Sequence, residues 1–275
     1  MTAKEIIRYM EALRNEEQRR VLMGFFKTGP GEYGEGDEFL GLKVPQTREV
    51  VKAALVINRE SITMNREPIT IDEVPELLMS KWHEVRLCGL LILVAKFEKL
   101  TKRTKRTVAT TPLEYTEEAI RGQDEILAMY LKYAERANNW DLVDLSAPKI
   151  LGASLLSPLK GGSSDTDLEC KRRMLDELAF SDNLWKQRMS MVCTWKTSQM
   201  GDPSWCLRYA EIHLHHPHDL MHKAVGWMLR EMGKRCSMDL LRDFLRQHVN
   251  EMPRTMLRYA IEKMSEEERK EWLAL

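Results

Sequence analysis

The stretch SDNLWKQR, residues 181–188, is the most informative about the fold, because its pattern returns twice further along the chain. HDLMHK at residues 218–223 and PRTMLR at residues 253–258 begin helices in the same style. An interval of 35 residues separates the basic residues of the three stretches, which are Arg188, Lys223 and Arg258. A period near 35 in a chain with almost no alternating apolar pattern is typical of stacked helix pairs. We therefore predict an all-α repeat protein without a sheet.

Repeats of this length and type are those of HEAT-like solenoids, so we expect residues 1–275 to form a single HEAT-like repeat domain. Equal spacing would place one basic side chain of each repeat at the same height on a concave face, and Arg86 lies about three periods earlier. A row of cations on such a face could follow the phosphate backbone of DNA. The alternative interpretation is that these residues belong to ordinary solvated helix faces.

The composition is that of a well-solvated globular chain. Hydrophobic residues make up 43% of the 275 residues and charged residues 31%, which is enough for a continuous core and does not favour disorder. The 42 Lys and Arg residues balance the 42 Asp and Glu residues, so a DNA-binding protein of this composition must segregate its charge onto one face. The net charge alone neither supports nor excludes DNA.

The cysteines and the apolar segments favour a cytoplasmic protein. No cysteine pair has the C-x-x-C spacing, and we expect buried, reduced thiols at most of the five positions, which are Cys88, Cys170, Cys193, Cys206 and Cys236. The first 20 residues are charged throughout and contain no apolar signal core. The longest apolar run, Leu87 to Ala95, is too short to span a bilayer.

Local signals predict where helices begin and where loops interrupt them. Thr2 and Glu5 form the pattern of a capping box, and Pro45 suits the first turn of a later helix. Four glycines and a proline between Gly29 and Glu38 predict a loop. Two further stretches are typical of surface insertions, the basic one at Thr101–Pro112 and the glycine-rich one at Leu159–Asp167.

The strongest candidate for chemistry is NNWDLVD, residues 138–144. On a helix, Trp140 and Asp144 share a face, and a carboxylate beside a tryptophan is unusual for a core because an unpaired buried charge is costly. The alternative is a helix capped by an asparagine, with Asp141 in the favourable first turn and Trp140 in the core. That alternative accounts for Asp141 better than for Asp144.

A second candidate is KAVGWMLR, residues 223–230, which places Lys223, Trp227 and Arg230 within two turns of one helix. Gly226 inside a helix costs about 1 kcal/mol relative to alanine, which suggests that something approaches the backbone closely. The alternative interpretation is a core tryptophan with a glycine that lets two helices pack.

The histidines between His213 and His222 suggest a metal cluster at first sight. His218 and His222 even have the four-residue spacing of zinc ligands on a helix. However, the segment contains no H-E-x-x-H motif and no accompanying cysteine pair, and Pro217 indicates a loop that leads into a helix. We therefore predict no metal site.

Taken together, several separate motifs resemble the bacterial AlkD-like family of DNA alkylation repair glycosylases. They occur in the family's order and cover nearly the whole chain: FFK at 25–27 with residues 41–48, NWDLVD at 139–144, NLWKQR at 183–188, residues 223–231 and residues 253–260. Several motifs in the right order are more specific than any one of them. The resemblance implies a fold of HEAT-like repeats.

The resemblance also implies roles for individual residues. Asp144 matches the catalytic aspartate, and Trp140 and Trp227 match the two tryptophans that flank the damaged nucleotide. Arg188 matches an arginine that holds a phosphate at the lesion, and Arg230 matches another contact with the DNA backbone.

One position departs from the family's pattern. A tyrosine that lines the groove in familiar members is replaced here by Phe25, which keeps the aromatic surface and loses the hydroxyl. Loss of the hydroxyl is expected to alter the rate or the substrate range.

The function that the resemblance implies is excision of positively charged N7- or N3-alkylated purines from double-stranded DNA. It implies no metal or organic cofactor and no membrane partner, and we expect a monomer. The runner-up is a non-catalytic relative that binds distorted or branched DNA, which Phe25 keeps open. A third possibility is a HEAT scaffold for another protein, although an apolar or acidic row would then be expected in place of Arg188, Lys223, Arg230 and Arg258.

Overall fold

The computed structural model describes residues 1–55, 67–104, 116–157 and 164–275, and within these ranges the regular structure is helical. The only β-type pairing there is an isolated parallel bridge between Glu38 and Trp82. The prediction of an all-α, helical-repeat-like fold is thus confirmed. None of the helices in the described ranges combines the length and apolarity that crossing a membrane requires.

Contacts between residues divide the chain into two compact units, unit 1 from Met1 to Ser146 and unit 2 from Ala147 to Leu275. That all 275 residues form one HEAT-like domain stays a prediction. Residues 105–112 of the basic insertion and residues 159–163 of the glycine-rich stretch lie outside the described residues.

Unit 1 is built around one long helix. Its elements, in chain order, are α1 (Ala3–Ala12), α2 (Glu16–Phe25), α3 (Val44–Leu55), α4 (Val74–Leu78), α5 (His83–Thr104), α6 (Glu117–Lys132), a 3-10 turn (Ala134–Arg136) and α7 (Trp140–Ser146). Helix α5 packs against α3, α4, α6 and α7. Its buried apolar segment, Leu87 to Val94, therefore forms the centre of the unit.

The local signals near the start of the chain are confirmed. The Thr2 side chain accepts from the backbone N–H of Glu5, and the Glu5 carboxylate accepts from the N–H of Thr2, which is the predicted capping box. Helix α3 begins at Val44, with Pro45 in its first turn. The stretch from Gly29 to Glu38 forms consecutive turns, as its glycines predict.

A buried carboxylate at the start of α5 secures the chain that follows this loop. Both oxygens of Glu84 accept hydrogen bonds from backbone N–H groups of Leu40, Gly41 and Leu42, at 2.8, 2.8 and 2.9 Å. Glu84 is 2% exposed, so the three N–H groups satisfy a charge that would otherwise be costly to bury. The end of the loop is thereby fixed to the first turn of α5.

Unit 2 contains the repeated stretches. Its helices, in chain order, are α8 (Leu151–Ser154), α9 (Ser164–Ala179), α10 (Leu184–Val192), α11 (Thr194–Gln199), α12 (Ser204–Ile212), α13 (Asp219–Arg235), α14 (Met238–His248), α15 (Arg254–Ala260) and α16 (Glu266–Ala274). The three stretches with the 35-residue interval begin α10, α13 and α15, as predicted. Asn183 caps α10, and the His218 ring caps α13 by accepting from the N–H of Leu220.

Helix α13 is the central helix of unit 2 and packs against α10, α11, α12, α14 and α15. A Cβ atom at Gly226 would meet the carbonyl oxygen of Met256 and the Cβ of Tyr259 on α15. Gly226 therefore allows close packing of two helices, which is the simpler of the two interpretations of this glycine.

One sequence-based expectation is wrong, whereas the expectation for the cysteines holds at most of the five positions. Arg86 was expected to join the row of DNA-tracking cations, but it is 2% exposed and forms an ion pair with Asp37. It is buried because it lies on the inner face of α5, where its guanidinium also donates to the backbone carbonyls of Ser80 and Lys81. Among the cysteines, Cys88, Cys193 and Cys206 are buried as expected, whereas Cys170 is exposed.

Candidate functional site

An aromatic surface forms in unit 1 where α2 ends and α7 begins. The ring centroid of Phe25 lies 5.8 Å from that of Trp140 in an edge-on arrangement, and Phe26 stacks on Trp140 at 5.2 Å. Phe25 is 61% exposed, whereas Phe26 is buried beneath it. Two of the predicted site residues, Phe25 and Trp140, are thus neighbours on an accessible surface although they are far apart in sequence.

Asp144 lies one helical turn after Trp140 on α7 and is partly buried. Four residues separate the two positions, so the carboxylate and the indole share a helix face. The structure therefore places three predicted residues, Phe25, Trp140 and Asp144, in one part of unit 1.

Beneath the aromatic surface is a buried charged network that the sequence did not reveal. The Nδ1 of His83 donates to Oδ2 of Asp37 at 2.7 Å, and its Nε2 donates to Oδ2 of Asp141 at 2.9 Å. Arg86 pairs with the other oxygen of Asp37. All four residues are buried. We call Asp37, His83, Arg86 and Asp141 the buried network.

The ionisation of this network follows from its contacts. Burial opposes the charge of His83, but the charge and hydrogen bonds of Asp141 and Asp37 outweigh it and raise the pKa of His83 to about 9. Burial likewise opposes ionisation of Asp37, yet the hydrogen bond from His83 and the charges of His83 and Arg86 lower the pKa of this carboxyl. His83 is therefore protonated and Asp37 ionised at neutral pH.

The site residues predicted in unit 2 have more varied surroundings. Arg188 on α10 is 5% exposed and donates from Nη1 to the carbonyl oxygen of Leu220 at 2.6 Å. This contact holds the guanidinium beside the first turn of α13. Arg258, in the last turn of α15, is exposed.

Lys223, Trp227 and Arg230 follow one another along one face of α13, as the spacing predicts. Lys223 forms an ion pair with Asp219 at 2.7 Å, and Arg230 pairs with Glu262 and, at 3.4 Å, with Glu231. Trp227 is partly buried. Two of the predicted DNA-binding cations thus already have carboxylate partners.

The histidine segment serves local structure. The Nε2 of His213 is hydrogen bonded to the hydroxyl of Ser190 at 2.9 Å, and burial lowers the pKa of His213 to about 4. The Nε2 of His222 lies 2.5 Å from the carbonyl oxygen of His216. In the part of the chain that the structure describes, no three His, Cys, Asp or Glu residues are arranged to hold a metal ion.

Known proteins match both the sequence and the fold. The model of a family described as DNA alkylation repair enzyme matches residues 6–264. A solved structure titled as a predicted DNA alkylation repair enzyme from Enterococcus faecalis matches 92% of this chain and 97% of its own, with a TM-score of 0.59 and 12% identity. At this identity the likeness shows the fold alone. No curated protein sequence matches the chain.

Proposed function

Because this chain belongs to the family of DNA alkylation repair enzymes, we propose that it is a DNA glycosylase that removes positively charged N7- or N3-alkylated purines from double-stranded DNA. The observation that carries the proposal is the aromatic surface of Phe25 and Trp140, with Asp144 one turn further along α7. An aromatic face and a carboxylate are the groups that stabilise a developing cation.

The chemistry of the lesion explains why so few groups suffice. Alkylation at N7 of guanine or N3 of adenine gives the base a positive charge, so the base leaves as a neutral molecule without a strong general acid. The bond between C1′ and the base nitrogen breaks, its electron pair leaves with the base, and the sugar becomes oxocarbenium-like. A water then adds at C1′ and loses a proton. In this scheme the Asp144 carboxylate stabilises the sugar cation and orients the water.

The tryptophans would contribute through their ring faces, which attract cations. Trp140 has the more clearly defined position, because Phe26 supports one side of it. The resemblance to the AlkD-like family assigns Trp227 the same task. Familiar members of that family leave the lesion stacked in the duplex and grip its backbone, whereas most glycosylases rotate the base into a pocket.

The cations of unit 2 would bind the phosphate backbone. Lys223 on α13 and Arg258 on α15 are accessible, whereas Arg188 is 5% exposed and would have to leave the carbonyl oxygen of Leu220 to reach a phosphate. Arg230 would have to exchange Glu262 and Glu231 for phosphate. We expect a cytoplasmic monomer that works on duplex DNA without a metal or an organic cofactor.

The decisive experiment is single-turnover release of 7-methylguanine from a defined duplex by the wild-type protein and by Asp144→Asn. Asparagine keeps the size and removes the charge, so excision should fall by about 10²–10³-fold, as on removal of one preorganised stabilising group. Duplex affinity should change little. The matched control is Asp72→Asn, the same chemical change at an exposed turn position. Wild-type release by Asp144→Asn would disprove the catalytic assignment.

A second experiment tests the DNA-binding surface. Lys223→Glu combined with Arg258→Glu should weaken duplex binding and reduce the slope of log K against log salt by about 0.9 for each lost phosphate contact. Arg246→Glu with Lys270→Glu changes the charge equally on exposed residues that no repeat pattern selects. Equal losses in the two double variants would contradict a specific DNA-binding row.

Phe25 supports one alternative, a non-catalytic relative that binds distorted or branched DNA, because the position lacks the hydroxyl of familiar family members. Duplex binding without release of 7-methylguanine, 3-methyladenine or a bulkier N7 adduct would favour this alternative. A protein scaffold would instead show no affinity for any of these duplexes.

A further inference from the structure

The buried network connects three segments that are distant in sequence. Asp37 comes from the loop between Gly29 and Glu38, His83 begins α5, and Asp141 is the second residue of α7. Among the residues that the structure describes, the ring of His83 links the two carboxylates and donates to both. Oδ1 of Asp141 has no hydrogen-bond partner among the described residues, so the ion pair with His83 is the main polar contact of this carboxylate.

Aromatic contacts of His83 connect the buried network to Trp140. The ring of Phe26 lies 5.0 Å from His83 and 5.2 Å from Trp140, and so separates the imidazole from the indole. Phe39 stacks on His83 at 4.3 Å and on Phe26 at 5.2 Å. His83 therefore fixes Trp140 in two ways, through the backbone of Asp141 and through the ring of Phe26.

The loop between Gly29 and Glu38 also contacts residues next to Trp140. The buried side chain of Asn139 accepts from the N–H of Trp140 at 2.9 Å, and its amide nitrogen lies 3.5 Å from the carbonyl oxygen of Phe26. Gly34 packs against these two groups, and a Cβ there would collide with the Phe26 carbonyl oxygen. The loop residues Gly34 and Asp37 thus both act on the position of Trp140.

We propose that His83 is a positioning residue for the base-excision site: clamped between Asp37 and Asp141, it fixes the start of α7 and thereby the placement of Trp140 and Asp144. The proposal rests on the proposed function. It assigns the loop between Gly29 and Glu38 the task of holding Asp37 against His83. His83 touches neither DNA nor the reacting atoms in this role.

The clamp needs the doubly protonated imidazole, because a neutral ring can donate from one nitrogen only. The charged groups that face His83 are Asp37 from the loop, Asp141 from α7 and, behind Asp37, Arg86 from α5. Glu84, its neighbour on α5, is engaged by the N–H groups of residues 40–42. Loss of the His83 proton therefore leaves one of two buried carboxylates without its cation.

The first test does not require enzymatic activity. The protein is labelled with 5-fluorotryptophan, and the fluorine resonance of Trp140 among the seven tryptophans is identified by its absence in Trp140→Phe. In wild type this resonance should shift as the pH rises through about 9. In His83→Gln it should be displaced already at pH 7 and show no such titration. The matched control is His213→Gln, a buried histidine of unit 2, which should leave the Trp140 resonance and its titration unchanged.

A Trp140 resonance that does not titrate in wild type, or that moves equally in both variants, would overturn the proposal. Should His83→Gln fail to fold, the wild-type titration decides, supported by Asp141→Asn, which should displace the same resonance.

The second test measures function. His83→Gln should slow single-turnover release of 7-methylguanine by on the order of 10–100-fold, because small misplacement of catalytic groups is costly, while the duplex Kd changes less than twofold. A parallel loss of affinity, or an unchanged rate, would contradict a positioning role. If the wild-type protein releases no base, the proposed function fails, whereas the fluorine titration still decides whether His83 places Trp140.

Discussion

Protonation of His83 should make the stability of this protein depend on pH in an unusual direction. The pKa of His83 is raised from 6.5 to about 9 in the native state. Between these values the native protein holds a proton that the unfolded chain has lost, so stability falls as the pH rises. Below pH 6.5 both states are protonated and the contribution is complete. At ~1.4 kcal/mol per pKa unit, it amounts to about 3 kcal/mol and is lost as the pH passes 9.

The measurement is urea unfolding at several pH values from about 4 to 9.5, for wild type, His83→Gln and His213→Gln. The difference in unfolding free energy between wild type and His83→Gln should shrink by about 3 kcal/mol over this range. His213→Gln is the internal comparison with the opposite sign. Its native pKa is lowered to about 4, so its contribution is present above pH 6.5 and is lost as the pH falls through 4. A wild-type curve parallel to that of His83→Gln from pH 6.5 to 9 would refute a charged, clamped His83.

Four further substitutions test particular positions. Gly226→Ala should destabilise the protein by about 1–3 kcal/mol through overpacking. Gly24→Ala should stabilise it by up to about 1 kcal/mol, because a Cβ there meets nothing within 4 Å. Thermal unfolding of the two variants compares these effects. Glu84→Gln should lower the free energy of unfolding by about 1–3 kcal/mol, because the new amide NH2 faces the N–H of Leu40. Chemical denaturation measures this loss. Phe25→Tyr should restore a hydroxyl on an exposed ring and raise excision by roughly fivefold, the value of one hydrogen bond, without changing the melting temperature.

Features set by neighbouring residues could be predicted from the sequence. The caps at Thr2 and His218 and the loop from Gly29 depend on residues within four positions, so their chemistry is legible in the chain. The same holds for the face shared by Trp140 and Asp144. The resemblance selected Phe25 and Trp140 as site residues, but the contact between their rings was not predicted, because nothing local brings α2 to α7.

The buried network could not be predicted because its members are far apart. His83 is 46 residues from Asp37 and 58 from Asp141, and each of the three is unremarkable in its own segment. Arg86 was misassigned because its spacing fits the period of basic residues, and spacing alone does not tell an inward face from an outward one. A useful signal was available: His83, Glu84 and Arg86 directly precede the most apolar run of the chain, where charged side chains require buried partners.

The carboxylate of Glu84 also determines how residues 40–42, between the loop and α3, unfold locally. The N–H groups of Leu40, Gly41 and Leu42 bond to a side chain more than 40 residues away, and to no neighbouring strand or helical turn. Their exchange with deuterium therefore requires release of the whole segment from the first turn of α5 in one event. These three amides should therefore show a common free energy of opening, and its value measures how stably residues 40–42 are held at the first turn of α5.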